Sequence, residues 1–284
     1  MNIRRRTART ALILIAVVLT AGFGGMASRF APDADPWPRW QTYDPTSTDR
    51  IDHAPWNRLL DRYRSVDDDG IARFAYAGVS TEDRRALDAY VDSLAATPVD
   101  SLSRPEQLAY WINLYNALTV QLVLTHWPVD SIRDIDISPG LFSRGPWDAK
   151  LVTVAGENLS LNDIEHRILR PIWRDPRIHY AVNCAAIGCP NLQGEAFTAA
   201  NTFDLFDRAA RDFVNHPRGV RLEGDRLIVS SIYAWFREDF GDSAAGVLDH
   251  LRAHADPALA ALLAGRTTID DHAYDWSINA ASPR

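Results

Sequence analysis

Between Ser103 and His126 lies the stretch that most limits how this chain can fold. Ser103-Arg104-Pro105-Glu106 reads as a helix start, with Ser103 placed to cap and Pro105 suited to the first turn. The residues that follow, Leu108, Trp111, Ile112, Tyr115, Leu118, Leu122 and Val123, leave hardly any side of that helix polar. A helix that is apolar all round has to be wrapped by the rest of the chain. Two amides interrupt it, Asn113 and Asn116, three apart and so on one face. A buried amide is costly unless paired, so both are expected to hold neighbouring backbone or a site in place.

The chain has material enough to do the wrapping: 284 residues, 46% of them hydrophobic, suffice for one sizeable core. Nine tryptophans are scattered along it and are read as core packing rather than as a binding platform. Residues 28–52 are polar and rich in Pro, Asp and Thr, a linker or extended arm. The globular part is expected over 53–279, with 280–284 as a tail. Trp56, Leu59, Leu60 and Tyr63 recur at helical spacing, and Asp67–Gly70 reads as a turn into a strand at Ile71–Tyr76. A second helix should start at Thr81. Leu151–Val154 looks like a strand. Ser160-Leu-Asn-Asp163 resembles a capping box, opening a helix that carries Glu165 and His166 and ends at Pro171. Ile178–Val182 reads as a strand delivering Asn183-Cys184. Further on, Asp204–Val214, Ser231–Phe236, Ala244–His254 and Ala258–Leu263 read as helices. A hairpin joins Val220–Leu222 to Leu227–Val229, and an edge strand is expected at 274–278. No βαβ rhythm repeats, which predicts a single α+β domain whose central buried helix packs on a small, largely antiparallel sheet.

At the N-terminus stand Arg4, Arg5 and Arg6, an apolar run from Ala11 to Phe23, and then Gly25-Met26-Ala27. This is the layout of a signal peptide with cleavage after Ala27, or of an N-terminal anchor if it is retained. Either way the domain is expected outside the cytoplasm, periplasmic or secreted, touching a membrane only through residues 1–27. Without that leader the chain holds 26 basic against 37 acidic residues, a net of −11. Such a surface disfavours nucleic acid as a partner.

The chemistry concentrates in Glu165-His166 and in His179-Tyr-Ala-Val-Asn183-Cys184-Ala-Ala-Ile-Gly-Cys189-Pro190, which holds the chain's two cysteines. Three readings compete. An oxidising compartment and an even count favour a Cys184–Cys189 disulfide. A strand-end Cys184 with His166 or His179 as base, and Asn113, Asn116 or Asn183 as orienting or donating amides, makes a thiol nucleophile. One histidine with both cysteines makes a metal site, though the spacing is looser than in zinc sites and a fourth ligand is not obvious.

Five segments together resemble the domain-of-unknown-function family 547. They are Ala109–Leu118, Leu161–Arg170, His179–Pro190, Trp235–Gly241 and Asp275–Asn279, so that the resemblance spans most of 53–279. It implies one domain, seen in exported bacterial proteins, and no assigned activity. At the level of fold the order is also similar to transglutaminase/papain-like thiol enzymes, in which Cys starts the buried helix and His opens the next strand. Here Asn113 and Asn116 stand in the helix instead of Cys, and His179 opens the strand. The resulting expectation is a thiol-dependent hydrolase or transferase acting on an amide-type bond. Its catalytic set is Cys184, His166, His179, Asn113, Asn116 and Glu165, without cofactor or metal. The partner would be an extracytoplasmic substrate or protein. The rival expectation is a non-catalytic binding or scaffold domain stapled by Cys184–Cys189.

Overall fold

The computed structural model describes residues 32–140 and 145–281; the leader expected at residues 1–27 lies outside them. Helix α1 (Ala54–Tyr63) buries Trp56, Leu59, Leu60 and Tyr63, the four residues at helical spacing. Strands β1 (Arg64–Val66) and β2 (Ala72–Phe74) pair antiparallel across the Asp67–Gly70 turn, where Gly70 takes φ 76°. Helix α2 (Thr81–Ala95) starts at Ser80, whose hydroxyl accepts the Asp83 N–H. Then comes α3 (Arg104–His126), in which every residue from Glu106 to Val120 is buried. Ser103 occupies its N-cap position, but the side chain makes no capping bond.

After a long loop, β3 (Val152–Val154) and β4 (Glu157–Leu159) form a second antiparallel pair. A π-helix (Asp163–Leu169) runs into α4 (Arg170–Trp173), followed by α5 (Ile178–Ala181) and α6 (Thr202–Val214). Strands β5 (Val220–Glu223) and β6 (Arg226–Ser230) make the expected hairpin, with Val220 opposite Val229. Helices α7 (Ser231–Trp235), α8 (Ala244–His254) and α9 (Pro257–Leu263) precede β7 (Asp271–Ala273), which lies parallel to β6. The fold is a single α+β domain. Its strands divide into three small sheets, and α3 packs chiefly on α2 and the π-helix. The third strand of the last sheet lies at 271–273, short of the 274–278 expected for it, where only isolated bridges at Ser277 and Ile278 occur.

Two more readings are corrected. Residues 178–181 are a helical turn, not a strand. Asp175 accepts the Arg177 N–H on its side chain and the Ile178 N–H on its carbonyl, starting a helix that a short apolar run cannot by itself distinguish from a strand. Pro171 does not end the preceding helix either; it lies inside α4. A proline donates no N–H, so it leaves unfilled the carbonyl four residues back, Arg167, and the one five back, His166. Both are filled from the N-terminal arm: Asp35 N–H reaches the His166 carbonyl at 3.0 Å and Trp37 N–H the Arg167 carbonyl at 3.1 Å. The Arg167 side chain pairs with Asp35 at 3.2 Å and lies over the Trp37 ring. A few residues on, Trp40 sits in the core beside Trp111. The polar stretch after residue 31 thus runs along the domain, and the π-helix is its docking rail.

One apolar cluster surrounds α3, and a second gathers α6, β5, β6, α7, α8 and α9 around Phe213, Tyr233 and Leu248. Among the described residues no helix is long and apolar enough to cross a membrane.

Candidate active site

Where the two clusters meet, a cavity of about 480 Å³ opens. Its lining includes Glu165, His166, His179, Cys184 and Cys189, five residues of the stretch that the sequence singles out. The π-helix brings Glu165 and His166, α5 brings His179, and the turn after α5 brings the cysteines. Trp147, Trp235 and Trp276, only half-buried, form an aromatic wall, with Trp235 stacked on Trp276 at 5.5 Å. The reading of tryptophan as core holds for Trp40, Trp56 and Trp111, while these three pack on the edge of the core and also line the cavity.

The cysteine turn is held at both ends. Asn183 accepts the Ala185 N–H and donates to the Pro190 carbonyl, closing the loop on itself. Ala185 takes φ 58°, a left-handed conformation that costs a non-glycine residue about 1 kcal/mol and is often stored at functional sites. Gly188 lies so close to Asp275 that a Cβ there would meet its backbone nitrogen at 2.7 Å. That close approach brings Tyr274 to the thiols. Cys184 Sγ lies 3.0 Å from the Tyr274 hydroxyl and 3.1 Å from Cys189 Sγ, which also accepts the Cys184 N–H at 3.0 Å. Both cysteines are free, Cys184 half-buried and Cys189 buried. The Cys189 interaction and burial push the Cys184 thiol well up. Burial would also raise Cys189, but the thiol and backbone N–H of Cys184 outweigh it and favour the thiolate there.

The imidazoles are engaged elsewhere. His179 Nε2 lies 2.6 Å from Asp239 Oδ2 and Nδ1 lies 3.5 Å from Glu165 Oε1. Burial opposes charge on that ring, yet the two carboxylates prevail and keep it protonated to higher pH than usual. His166 Nδ1 lies 3.0 Å from Arg170 Nη1. Arginine only donates, so Nδ1 must accept, and burial, which lowers this ring to about 4, keeps it neutral with its proton on Nε2. Burial would raise Glu165, but the rings of His166 and His179 and the Arg170 guanidinium hold it at about 2. Phe236 stacks on both imidazoles, at 4.5 Å from His179 and 5.4 Å from His166.

Asn113 and Asn116, expected to orient the catalytic groups, do not line the cavity. Asn113 exchanges two hydrogen bonds with the Phe197 backbone and contacts His53 Nε2 at 3.2 Å. Asn116 donates to the Ala181 carbonyl and accepts the Asn183 N–H, pinning the chain between His179 and Cys184. Replacing either by alanine strands buried backbone groups and is expected to cost about 1–3 kcal/mol in urea unfolding. Unchanged midpoints in both variants would contradict this.

Sequence reasoning missed Arg170, Asp239 and Tyr274. The first two bond over 69 positions and Tyr274 reaches Cys184 over 90, distances no local spacing reports. Among the described residues no group of three His, Cys, Asp or Glu side chains is arranged to hold a metal ion.

No curated protein and no solved structure matches the chain. The segments Trp235–Gly241 and Asp275–Asn279 lie beyond the stretch that a family model matches. That stretch, residues 99–214, matches the family described as "Protein of unknown function, DUF547", and so the chain resembles that family across α3, the π-helix, His179 and both cysteines.

Proposed function

We propose that this DUF547-like protein is an exported, thiol-dependent hydrolase or transferase acting on an amide-type bond, with the cavity as its active site. The observation that carries the reading is convergence: a half-buried thiol, a second thiol, two imidazoles and an ionised carboxylate from three separate segments share one concavity. Such groupings of perturbed, buried titratable residues mark functional sites. In this reading Cys184 attacks the carbonyl carbon. Its proton passes to Cys189, the sulfur it already contacts. His166, with its proton on Nε2, hydrogen-bonds the developing oxyanion, and Cys189 passes the proton it has taken up to the leaving group. His179, clamped between Asp239 and Glu165, has no free nitrogen with which to act as base; it holds Glu165 in place. The export part of the reading rests on Arg4–Arg6 and the apolar run that follows.

A second reading, a non-catalytic extracytoplasmic binding domain, draws on one observation: neither imidazole is hydrogen-bonded to Cys184, whose thiol is held protonated. A simple acyl donor, p-nitrophenyl acetate, separates the two. The enzyme reading expects an acetyl group on Cys184 in peptide mass spectra, released by hydroxylamine. It also expects the acylation rate to fall on the order of 10³-fold or more in Cys184→Ala. An acylation rate that does not depend on Cys184 would hand the cavity to the binding reading.

A further inference from the structure

We infer that Cys184 and Cys189 form a redox modification site, closed to an intramolecular disulfide by organic disulfides and reopened by thiols. The two sulfurs are 3.1 Å apart without being bonded, and a disulfide requires about 2.05 Å, so closure needs a shift of about 1 Å. The turn between them is held with the sulfurs side by side: Asn183 ties its two ends and Gly188 is pressed onto Asp275. The two sulfurs are also unequal in access. Cys184 is half-buried and lines the cavity, whereas Cys189 is 4% exposed. An incoming disulfide RS–SR therefore meets Cys184. Cys184 Sγ attacks one sulfur, and its proton passes, by way of Cys189 or water, to the departing RS⁻, which leaves as RSH. Cys189 Sγ, which the Cys184 N–H already stabilises as an anion, then attacks Cys184 Sγ and expels the second RS⁻. The protein loses two electrons and two protons, and RS–SR gains them as two RSH.

The bond would take away the cavity's accessible, half-buried thiol. That consequence for turnover rests on the enzyme reading above; formation of the bond does not. The folded protein is to be incubated with oxidised glutathione, then blocked with N-ethylmaleimide and weighed intact. The expected product is monomeric, two hydrogens lighter and unalkylated, and dithiothreitol returns it to two alkylatable thiols. In Cys189→Ser the same treatment should stop at a stable glutathione adduct on Cys184, and Cys184→Ser should take up little glutathione. A wild-type protein that accumulates the adduct, or stays doubly alkylatable, overturns the inference. If the disulfide forms and acylation by p-nitrophenyl acetate nevertheless persists, the redox site stands and the enzyme reading falls.

Discussion

Replacing Arg170 by methionine is expected to destabilise the fold by about 3–5 kcal/mol, the usual cost of removing one partner from a buried ionic cluster. The Arg170 side chain is 1% exposed, and each of its three nitrogens is engaged. Nε meets Asp239 at 2.6 Å, Nη2 meets Glu238 at 2.6 Å, and Nη1 meets both the Pro32 carbonyl at 2.8 Å and His166 Nδ1 at 3.0 Å. Methionine keeps most of the volume, so the loss isolates charge and hydrogen bonding from packing. Asp239 would then face His179 alone, and the arm would lose its side-chain tie at Pro32. Lysine is expected to recover only part of the stability, because a point charge cannot reproduce a planar fork with several simultaneous partners. A readout besides stability follows from the tautomer argument: without Arg170, nothing forces His166 Nδ1 to accept, and its nitrogen NMR shifts should move toward mixed protonation. A midpoint change worth less than about 1 kcal/mol in urea would show that the cluster balances without Arg170.

How far the sequence foretold this arrangement depended on the range of the forces involved. Helix α3 was legible because a segment apolar on all sides admits one placement, at the centre. The Ser160–Asp163 capping box was legible because its two bonds are local, and both form, at 3.1 Å and 2.8 Å. Convergence of Glu165, His166, His179, Cys184 and Cys189 was suggested by nearness in sequence, but their partners were not. The imidazoles were expected to serve Cys184, and instead they serve Asp239, Glu165 and Arg170, because a buried imidazole lowers its energy most beside a carboxylate or an obligate donor. Pro171 misled for a related reason. A local rule ends a helix at proline, yet here Asp35 and Trp37, more than a hundred residues earlier, supply the donors that proline lacks. The amides of α3 were correctly read as needing partners. Asn116 spends its amide on the backbone between His179 and Cys184, and Asn113 on the Phe197 backbone and His53, so neither faces the cavity.

Acidification is expected to unfold this protein in two stages, the first driven by histidines that the native state keeps neutral. Burial lowers His53, His166 and His250 to about 4 from an ordinary value of 6.5. Their contacts agree with neutrality. His53 sits between the Tyr90 hydroxyl at 2.7 Å and the Asn113 amide at 3.2 Å, and His250 bonds the Tyr180 hydroxyl at 2.7 Å. As pH falls below 6.5 the unfolded chain takes up these protons and the folded one does not, so stability declines until the folded value is reached. Each group removes about 1.4 kcal/mol per pH unit across that window. His179 has the opposite sign. Raised by Asp239 and Glu165, its contribution is complete below 6.5 and is lost as pH rises through its folded value, so it offers no further compensation on the acid side. The second stage begins lower, where Glu165 and Asp239, both held at about 2, lose the stability that their ionised forms contribute above the ordinary carboxylate range. Urea midpoints measured from neutral pH down to about 4 should fall steadily, with a slope equivalent to at least about three protons taken up on unfolding, since burial lowers His254 as well. His250→Phe should lower that slope by about one proton, narrowing its gap from wild type as pH falls. A midpoint flat between 6.5 and 4 would mean that these rings are charged in the native state, and the neutral, Nε2-protonated His166 on which the proposed reaction depends would go with it.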